Sequence, residues 1–320
     1  MQHSDRTAGR PRSLPPTEQR NPRSRDLDNL SSLGVLQLLN KESEAAITAV
    51  DEVLPQLAEV VDLAAERMRH GGTVHYFGAG TSGRLGVLDA SELKPTFNLE
   101  PGRVMAHIAG GSQALVEAVE NAEDSVAEGR QAAAGLGPDD VAIGLAASGS
   151  TPYVGGALEA AREAGAYTVL ISNNPEAPLS PVTDVHLALD TGPEVVTGST
   201  RLKAGTAQKL VLNGFSTALM IALGRTWQNL MVSVVATNAK LRDRTVRILC
   251  EAVGVEEPAA RELLERTGGD LKAAIVTSLT GVSSAEAYAL LEEHAGSVRD
   301  AIQAATPEAV APAQTEEPGP

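Results

Sequence analysis

The stretch Val74-His75-Tyr76-Phe77-Gly78-Ala79-Gly80-Thr81-Ser82-Gly83-Arg84-Leu85-Gly86 is a short apolar strand running into a glycine- and hydroxyl-rich turn and then a helix. Gly78, Gly80 and Gly83 let the backbone approach an anion closely, and the N–H groups that open the next helix attract negative charge. Thr81 and Ser82 add hydroxyl donors where a phosphate would sit. The glycines also spell G-x-G-x-x-G, the spacing of a dinucleotide fingerprint. A dinucleotide site needs a carboxylate about 20 residues on, at the end of the following strand. That strand is expected at Val104–Ile108, and it runs into Ala109-Gly110-Gly111 with no acid, while Glu100 falls before it. The residues thus favour a phosphate-binding loop of another kind over a nicotinamide site or a purely structural turn.

Working outward, strands are expected at Val74–Phe77, Val104–Ile108, Val141–Leu145, Thr168–Ile171 and Val185–Leu189. Helices are expected at Ser82–Ser91, Ser112–Ala134 and Tyr153–Ala164, with one or two leading helices over Val35–Asn40 and Ala45–Met68 and a buried one within Thr200–Leu223. After Ile171 an Asn- and Pro-rich link leaves room for a turn or a short helix. This alternation predicts an α/β fold, a doubly wound and mainly parallel sheet with helices on both faces. Ligands bind such sheets at the carboxyl ends of the strands. His75, inside a strand, is expected to be a packed core residue.

A second turn resembles the first. Strand Val141–Leu145 leads into Ala146-Ala147-Ser148-Gly149-Ser150-Thr151-Pro152. Ser150 or Thr151 suits an N-cap and Pro152 a first helical position. The hydroxyls of Ser148, Ser150 and Thr151 would ring a phosphate there. One such cap is ordinary; two hydroxyl-rich strand–helix turns in one sheet point to a shared phosphosugar site. A third polar segment, Thr197-Gly198-Ser199-Thr200-Arg201-Leu202-Lys203, offers the Ser199 hydroxyl and the charges of Arg201 and Lys203 to the same anion. Carboxylates stand at Glu92 and Glu123, and spacing alone does not separate either from a solvated helix charge.

Composition narrows the class. The net charge of −15 over 320 residues leaves no basic stripe for nucleic acid. Cys250 is the single cysteine, so neither a disulfide framework nor a thiolate metal site is expected. The first 25 residues carry six Arg and no apolar core of a signal peptide, and Leu210–Gly224 is too short and too interrupted to span a bilayer. A cytoplasmic setting without membrane contact is expected. Near the C-terminus Gly254-Val255 recurs as Gly281-Val282, 27 residues on, with Ala260, Leu263, Leu264 and Glu265 matching Ala287, Leu290, Leu291 and Glu292. Two small helical units sharing one core are expected there.

The motifs together resemble a known family. Thr17-Glu18-Gln19-Arg20-Asn21-Pro22, Gly78-Ala79-Gly80-Thr81-Ser82-Gly83-Arg84-Leu85 and Leu88-Asp89-Ala90-Ser91-Glu92 carry the resemblance, with Ala122-Glu123-Asp124-Ser125 and Ala146-Ala147-Ser148-Gly149-x-Thr151-Pro152-Tyr153. So do the long block Glu194–Lys209 and Asn229-Leu230-Met231-Val232. The chain is similar to the N-acetylmuramic acid 6-phosphate etherases, bacterial cytoplasmic lyases built on the sugar isomerase (SIS) domain. The resemblance implies cleavage of the D-lactyl ether of N-acetylmuramic acid 6-phosphate to N-acetylglucosamine 6-phosphate and D-lactate, in recycling of cell-wall amino sugars. It implies no metal and no cofactor, a homodimer, and a catalytic pair at Glu92 and Glu123. The substrate would be held by Gly80, Thr81, Ser82, Gly83, Arg84, Ser148, Ser150, Thr151, Ser199, Arg201 and Lys203.

One departure stands beside the acid, where Leu93-Lys94-Pro95 replaces the family's small residue and Pro-Pro. The expected organisation is a disordered basic arm (1–16), a SIS domain with its leading helices (17–240), a helical repeat domain resembling ubiquitin-associated modules (241–305) and a disordered tail (306–320). If the helix from Ser82 to Glu92 is unbroken, its rise separates them by about 15 Å, more than a hexose phosphate spans, which places the site near the subunit interface. The competing expectations are an aldose–ketose phosphosugar isomerase and a non-catalytic sugar-phosphate sensor.

Overall fold

The computed structural model describes residues 14–234 and 239–306. Of the ends expected to be disordered (1–16 and 306–320), residues 1–13 and 307–320 lie outside the described residues, while 14–16 and Thr306 are described and Pro16 opens a 3-10 turn. Packing divides the chain into two units. The first takes residues up to Val60 with Gly72–Leu88 and Val104–Asn213; the second takes Val61–Gly71, Asp89–Arg103 and residues from Gly214 on.

In the chain, short 3-10 turns at Pro16–Glu18, Pro22–Ser24 and Leu27–Asn29 precede α1 (Ser32–Asp51) and α2 (Leu54–Arg69). There are two leading helices, with the break at Glu52-Val53, and the polar run 41–44 between the two expected apolar stretches is helical. Pro55 has no N–H and its ring excludes the carbonyl four residues back, so the helix must stop before it. The run 41–44 stays helical because Glu42 is an interior residue.

The core of the first unit is a five-stranded parallel sheet formed by β1 (Val74–Gly78), β2 (Val104–Ile108), β3 (Val141–Leu145), β4 (Tyr167–Ser172) and β5 (Val185–Ala188). Their order is β2-β1-β3-β4-β5. All five match the expected strands to within a residue at each end. On one face, Phe77, Ala142 and Leu170 pack with Val154, Leu158 and Ala161 of α5 (Pro152–Glu163). A Cβ on Gly144 would lie 2.6 Å from Leu158, so glycine lets α5 ride directly on β3. On the other face Gly86 of α3 (Gly80–Phe97) comes against Tyr76 and Leu145. Helices therefore cover both faces, as a buried parallel sheet requires.

The expected helix Ser112–Ala134 is not continuous. It resolves into 3-10 turns at Gly111–Leu115 and Ala122–Asp124 and a short α4 (Val126–Ala132). Asn121 (φ 61°), inside this stretch, takes a left-handed conformation that a helix cannot contain, and Gly110 (φ 83°) and Gly111 (φ 65°) do so just before it. His75 is buried as expected: Nδ1 is 3.0 Å from His107 Nε2, and Nε2 is 2.9 Å from Thr73 Oγ1. Burial above all, with the neighbouring His107, holds His75 down at about 4.

Helix α6 (Lys203–Ala222) starts in the first unit, where Ala204, Ala207, Val211 and Leu212 are buried. The second unit carries the hairpin β6 (Thr226–Trp227) and β7 (Leu230–Met231). Five helices follow: α7 (Ala239–Val253), α8 (Glu257–Arg266), α9 (Leu271–Thr280), α10 (Ser284–Glu293) and α11 (Val298–Ala305). The repeat is structural: α8 and α9 return as α10 and α11 at the same 27-residue offset. Asp270 and Ser297 cap equivalent helices, and the pairs Ala260/Ala287, Leu264/Leu291 and Ala274/Ala301 enter one core. No single helix among the described residues is long and apolar enough to cross a membrane.

Candidate active site

In the order β2-β1-β3 the chain leaves β1 to one side and later returns on the other, so the carboxyl ends of β1 and β3 flank the topological switch point. Both hydroxyl-rich turns arise there. After β1, Gly78 and Gly83 touch: a Cβ on Gly78 would lie 2.7 Å from Gly83 N, and one on Gly83 2.7 Å from Ile108 Cγ1. Glycine at both positions is what allows the turn to close. Gly80 (φ 52°) has open space where a Cβ would project, leaving its backbone approachable. Thr81 is half-buried at the first turn of α3.

Ser82 differs from the expectation. Its hydroxyl donates to Gln208 Oε1 at 2.8 Å, inside the unit. Gln208 Nε2 in turn donates to Asn173 Oδ1, and Asn173 Nδ2 to Thr191 Oγ1. The Ser82 hydroxyl proton is thus engaged with Gln208. Gln208 and Asn173 were not expected from sequence to support this turn, although Gln208 sits in one of the quoted motifs.

After β3, Gly149 (φ 69°) packs so closely on Ala177 that a Cβ would lie 2.3 Å from it. The turn is also tied by Asn174 Nδ2 to Ser148 O and by Leu179 N to Gly149 O. Ser148 Oγ and Ser150 Oγ share a hydrogen bond of 2.9 Å. Thr151 is the N-cap of α5 with Pro152 at its first position, yet its hydroxyl makes no cap hydrogen bond. Hydroxyls of this turn thus stand beside helix N–H groups that lack internal partners, which suits an anion.

The third segment divides. A Cβ on Gly205 would lie 3.5 Å from Thr81 Cγ2, so the start of α6 sits against the first turn. Ser199 is half-buried and Arg201 exposed. Lys203, however, is an interior residue: its Nζ lies 2.8 Å from Glu42 Oε2, with both side chains no more than 3 % exposed. Asn21 Nδ2 donates to the same Glu42 oxygen, and Arg23 Nε lies 2.6 Å from the other. Burial pushes the Glu42 carboxyl up, but hydrogen bonds from Lys203 and Asn21 and the nearby positive charges outweigh it and leave it below its ordinary value. The Lys203 ammonium is thus paired inside the protein with Glu42, and not presented with Ser199 and Arg201. Glu194, fully buried, accepts from the backbone N–H groups of Lys203 and Ala204. Burial raises its pKa, with those bonds opposing. The N-terminus of α6 is thereby filled by the protein's own carboxylate, whereas those of α3 and α5 are not.

Arg84 is likewise committed, donating through Nε to Ala114 O at 2.9 Å and through Nη2 to Glu117 O at 3.0 Å. Glu123 is exposed on the 3-10 turn Ala122–Asp124, and not inside a regular helix as expected. Glu92 is exposed on α3, which continues past Pro95 to Phe97. Glu123 belongs to the first unit and Glu92 to the second. Among the described residues no group of three or more His, Cys, Asp or Glu is arranged to hold a metal.

Comparison with known proteins gives this geometry its family. The glucokinase regulatory protein N-terminal SIS domain family matches residues 56–162, which span both turns and both carboxylates. A phosphoheptose isomerase structure from Francisella tularensis shares the fold, with a TM-score of 0.50 and 19 % identity over 60 % of this chain and 100 % of that one. Sequence relatives are much nearer. The N-acetylmuramic acid 6-phosphate etherase of Thermobifida fusca (strain YX) is 56 % identical over 83 % of this chain and 87 % of its own length. That of Edwardsiella ictaluri (strain 93-146) is 50 % identical over 89 % and 96 %. The chain belongs to the N-acetylmuramic acid 6-phosphate etherase family, carbon–oxygen lyases carried on a SIS-type parallel sheet.

Proposed function

We propose that the turns after β1 and β3 grip the phosphate of N-acetylmuramic acid 6-phosphate and that Glu92 and Glu123 break its D-lactyl ether. The observation that carries the reading is the pair of helix N-termini at one switch point, each bearing hydroxyls, while the third nearby N-terminus is capped by Glu194. The donors are the backbone N–H groups of Gly80, Thr81 and Ser82, with the hydroxyls of Thr81, Ser148, Ser150 and Thr151; the Gly83 N–H is taken by Ala79 O. Ser199 and the exposed Arg201 lie at the margin.

An alkoxide is a poor leaving group, so the ether needs help on both sides. In the ring-opened sugar, C2 lies next to the C1 aldehyde and its proton is acidic. Glu123 takes that proton, the electron pair forms the C2–C3 double bond, and the C3–O bond breaks. Glu92 protonates the departing lactate oxygen. Water then adds to C3 of the unsaturated aldehyde, giving its proton to Glu92 while C2 recovers one from Glu123. The products are D-lactate and N-acetylglucosamine 6-phosphate, and each carboxyl ends as it began. The chemistry balances without a metal or cofactor.

The active form is a homodimer in this reading, in a cytoplasmic setting. Helix α1 exposes Leu33, Leu36 and Ile47, an apolar surface suited to a second copy. Ser82 and Glu92 lie on one unbroken helix, and ten residues of helical rise separate them by about 15 Å. Glu92 therefore serves a sugar whose phosphate and base come from the partner. Release of D-lactate tests the assignment. Glu92→Ala and Glu123→Ala should each lose activity by at least about 100-fold, and Glu123→Gln should also lose solvent-deuterium exchange at C2. Near-normal exchange in Glu123→Gln would remove it as the base.

A further inference from the structure

The connection between β2 and α4, residues 109–125, is long, lacks a regular helix and carries Glu123. A loop of this kind needs anchors of its own. Of the side chains from 111 to 121 only Ala114 is buried, and Val116 is 85 % exposed. Apolar packing therefore does little to fix the 111–121 stretch, whereas Ala122, beside Glu123, packs against the core under α5. Its entry is set by Gly110, where a Cβ would lie 2.9 Å from Val119 Cβ. A hydrogen bond from Gln113 Nε2 to Glu117 Oε2 joins two exposed side chains within it.

The remaining anchor comes from outside the loop. Arg84, one turn into the helix that begins at the phosphate cradle, places one guanidinium against two carbonyls, those of Ala114 and Glu117. A planar, permanently charged fork that engages two acceptors fixes orientation as well as position. Six residues beyond Glu117 stands Glu123, after the left-handed turn at Asn121.

We propose that Arg84 is a positioning residue that latches the 111–117 segment to the phosphate-cradling helix and so sets the place of Glu123, and that it is not a ligand of the phosphate. The proposal rests on the reading of Glu123 as the base. It links the element that grips the phosphate to the one that removes the C2 proton. A lysine at 84 keeps the charge but lacks the rigid planar fork, so it restores only part of the effect.

The test compares wild type, Arg84→Ala, Arg84→Lys and Glu123→Gln. The readouts are kcat and KM for D-lactate release, solvent-deuterium exchange at C2, and amide hydrogen exchange across 111–121. Arg84→Ala should lower kcat by about 100-fold, the cost of misplacing a reacting group by about 1 Å. KM should stay within about threefold, because no ground-state contact is lost. Exchange at C2 should fall in parallel and amides 111–121 should exchange faster, with Arg84→Lys intermediate in all three. A raised KM with kcat intact would make Arg84 a phosphate ligand and overturn the proposal, as would unchanged amide exchange across the loop. Failure of the base reading is distinguishable: Glu123→Gln would then exchange C2 at the wild-type rate, while amide exchange in the Arg84 variants still reports the latch.

Discussion

Lys203 stands in a polar segment just ahead of a helix, where sequence offers its ammonium to an anion, yet it points inward to Glu42. Arg84 and Ser82 turn the same way, one to backbone carbonyls and one to Gln208. Residue type and spacing identified the two strand–helix turns of the proposed cradle but not which way a polar side chain leaves its helix. That depends on partners distant in sequence, such as Glu42 for Lys203. The difference is measurable. Lys203→Met leaves a buried carboxylate with Arg23 and Asn21 only, and should lower unfolding free energy by about 3 kcal/mol, read as a lower urea midpoint. KM of the folded protein should stay near wild type. An unchanged midpoint with a strongly raised KM would return Lys203 to the phosphate.

At the scale of elements, the strands were legible because each is a short apolar run bounded by glycine, proline or polar residues, and β2 and β3 fall where periodicity puts them. The two turns were legible from glycine and hydroxyl content. The segment 112–134 was not, since its apolar spacing suits a helix while Asn121 within it takes left-handed backbone. Helix α1 runs through four polar residues for the converse reason, that a buried partner accepts Glu42. The first turn makes a prediction of its own. In Gly83→Ala the new Cβ would meet Ile108 Cγ1 at 2.7 Å and Gly78 O at 2.8 Å, forcing β1 and α3 apart. Overpacking of this kind should cost about 2 kcal/mol, and the displaced N–H groups should raise KM. A Gly83→Ala protein with wild-type thermal midpoint and KM would show that the close approach is not required.

For the whole molecule, the sheet, the switch point and the family agree on a phosphosugar lyase, while the two carboxylates belong to separate units of the chain. The proposed sharing of the site across a dimer makes a stoichiometric prediction. Glu92→Ala and Glu123→Ala subunits, each inactive, should on mixing and reassociation recover about a quarter of wild-type activity, because half the dimers are mixed and each has one intact site. No recovery would place both carboxylates in one chain's site. The most direct test of the chemistry is the fate of oxygen when N-acetylmuramic acid 6-phosphate is cleaved in oxygen-18 water. Elimination followed by hydration puts the label on O3 of N-acetylglucosamine 6-phosphate and none in D-lactate. Label in the lactate, or cleavage with unlabelled O3, would contradict the mechanism.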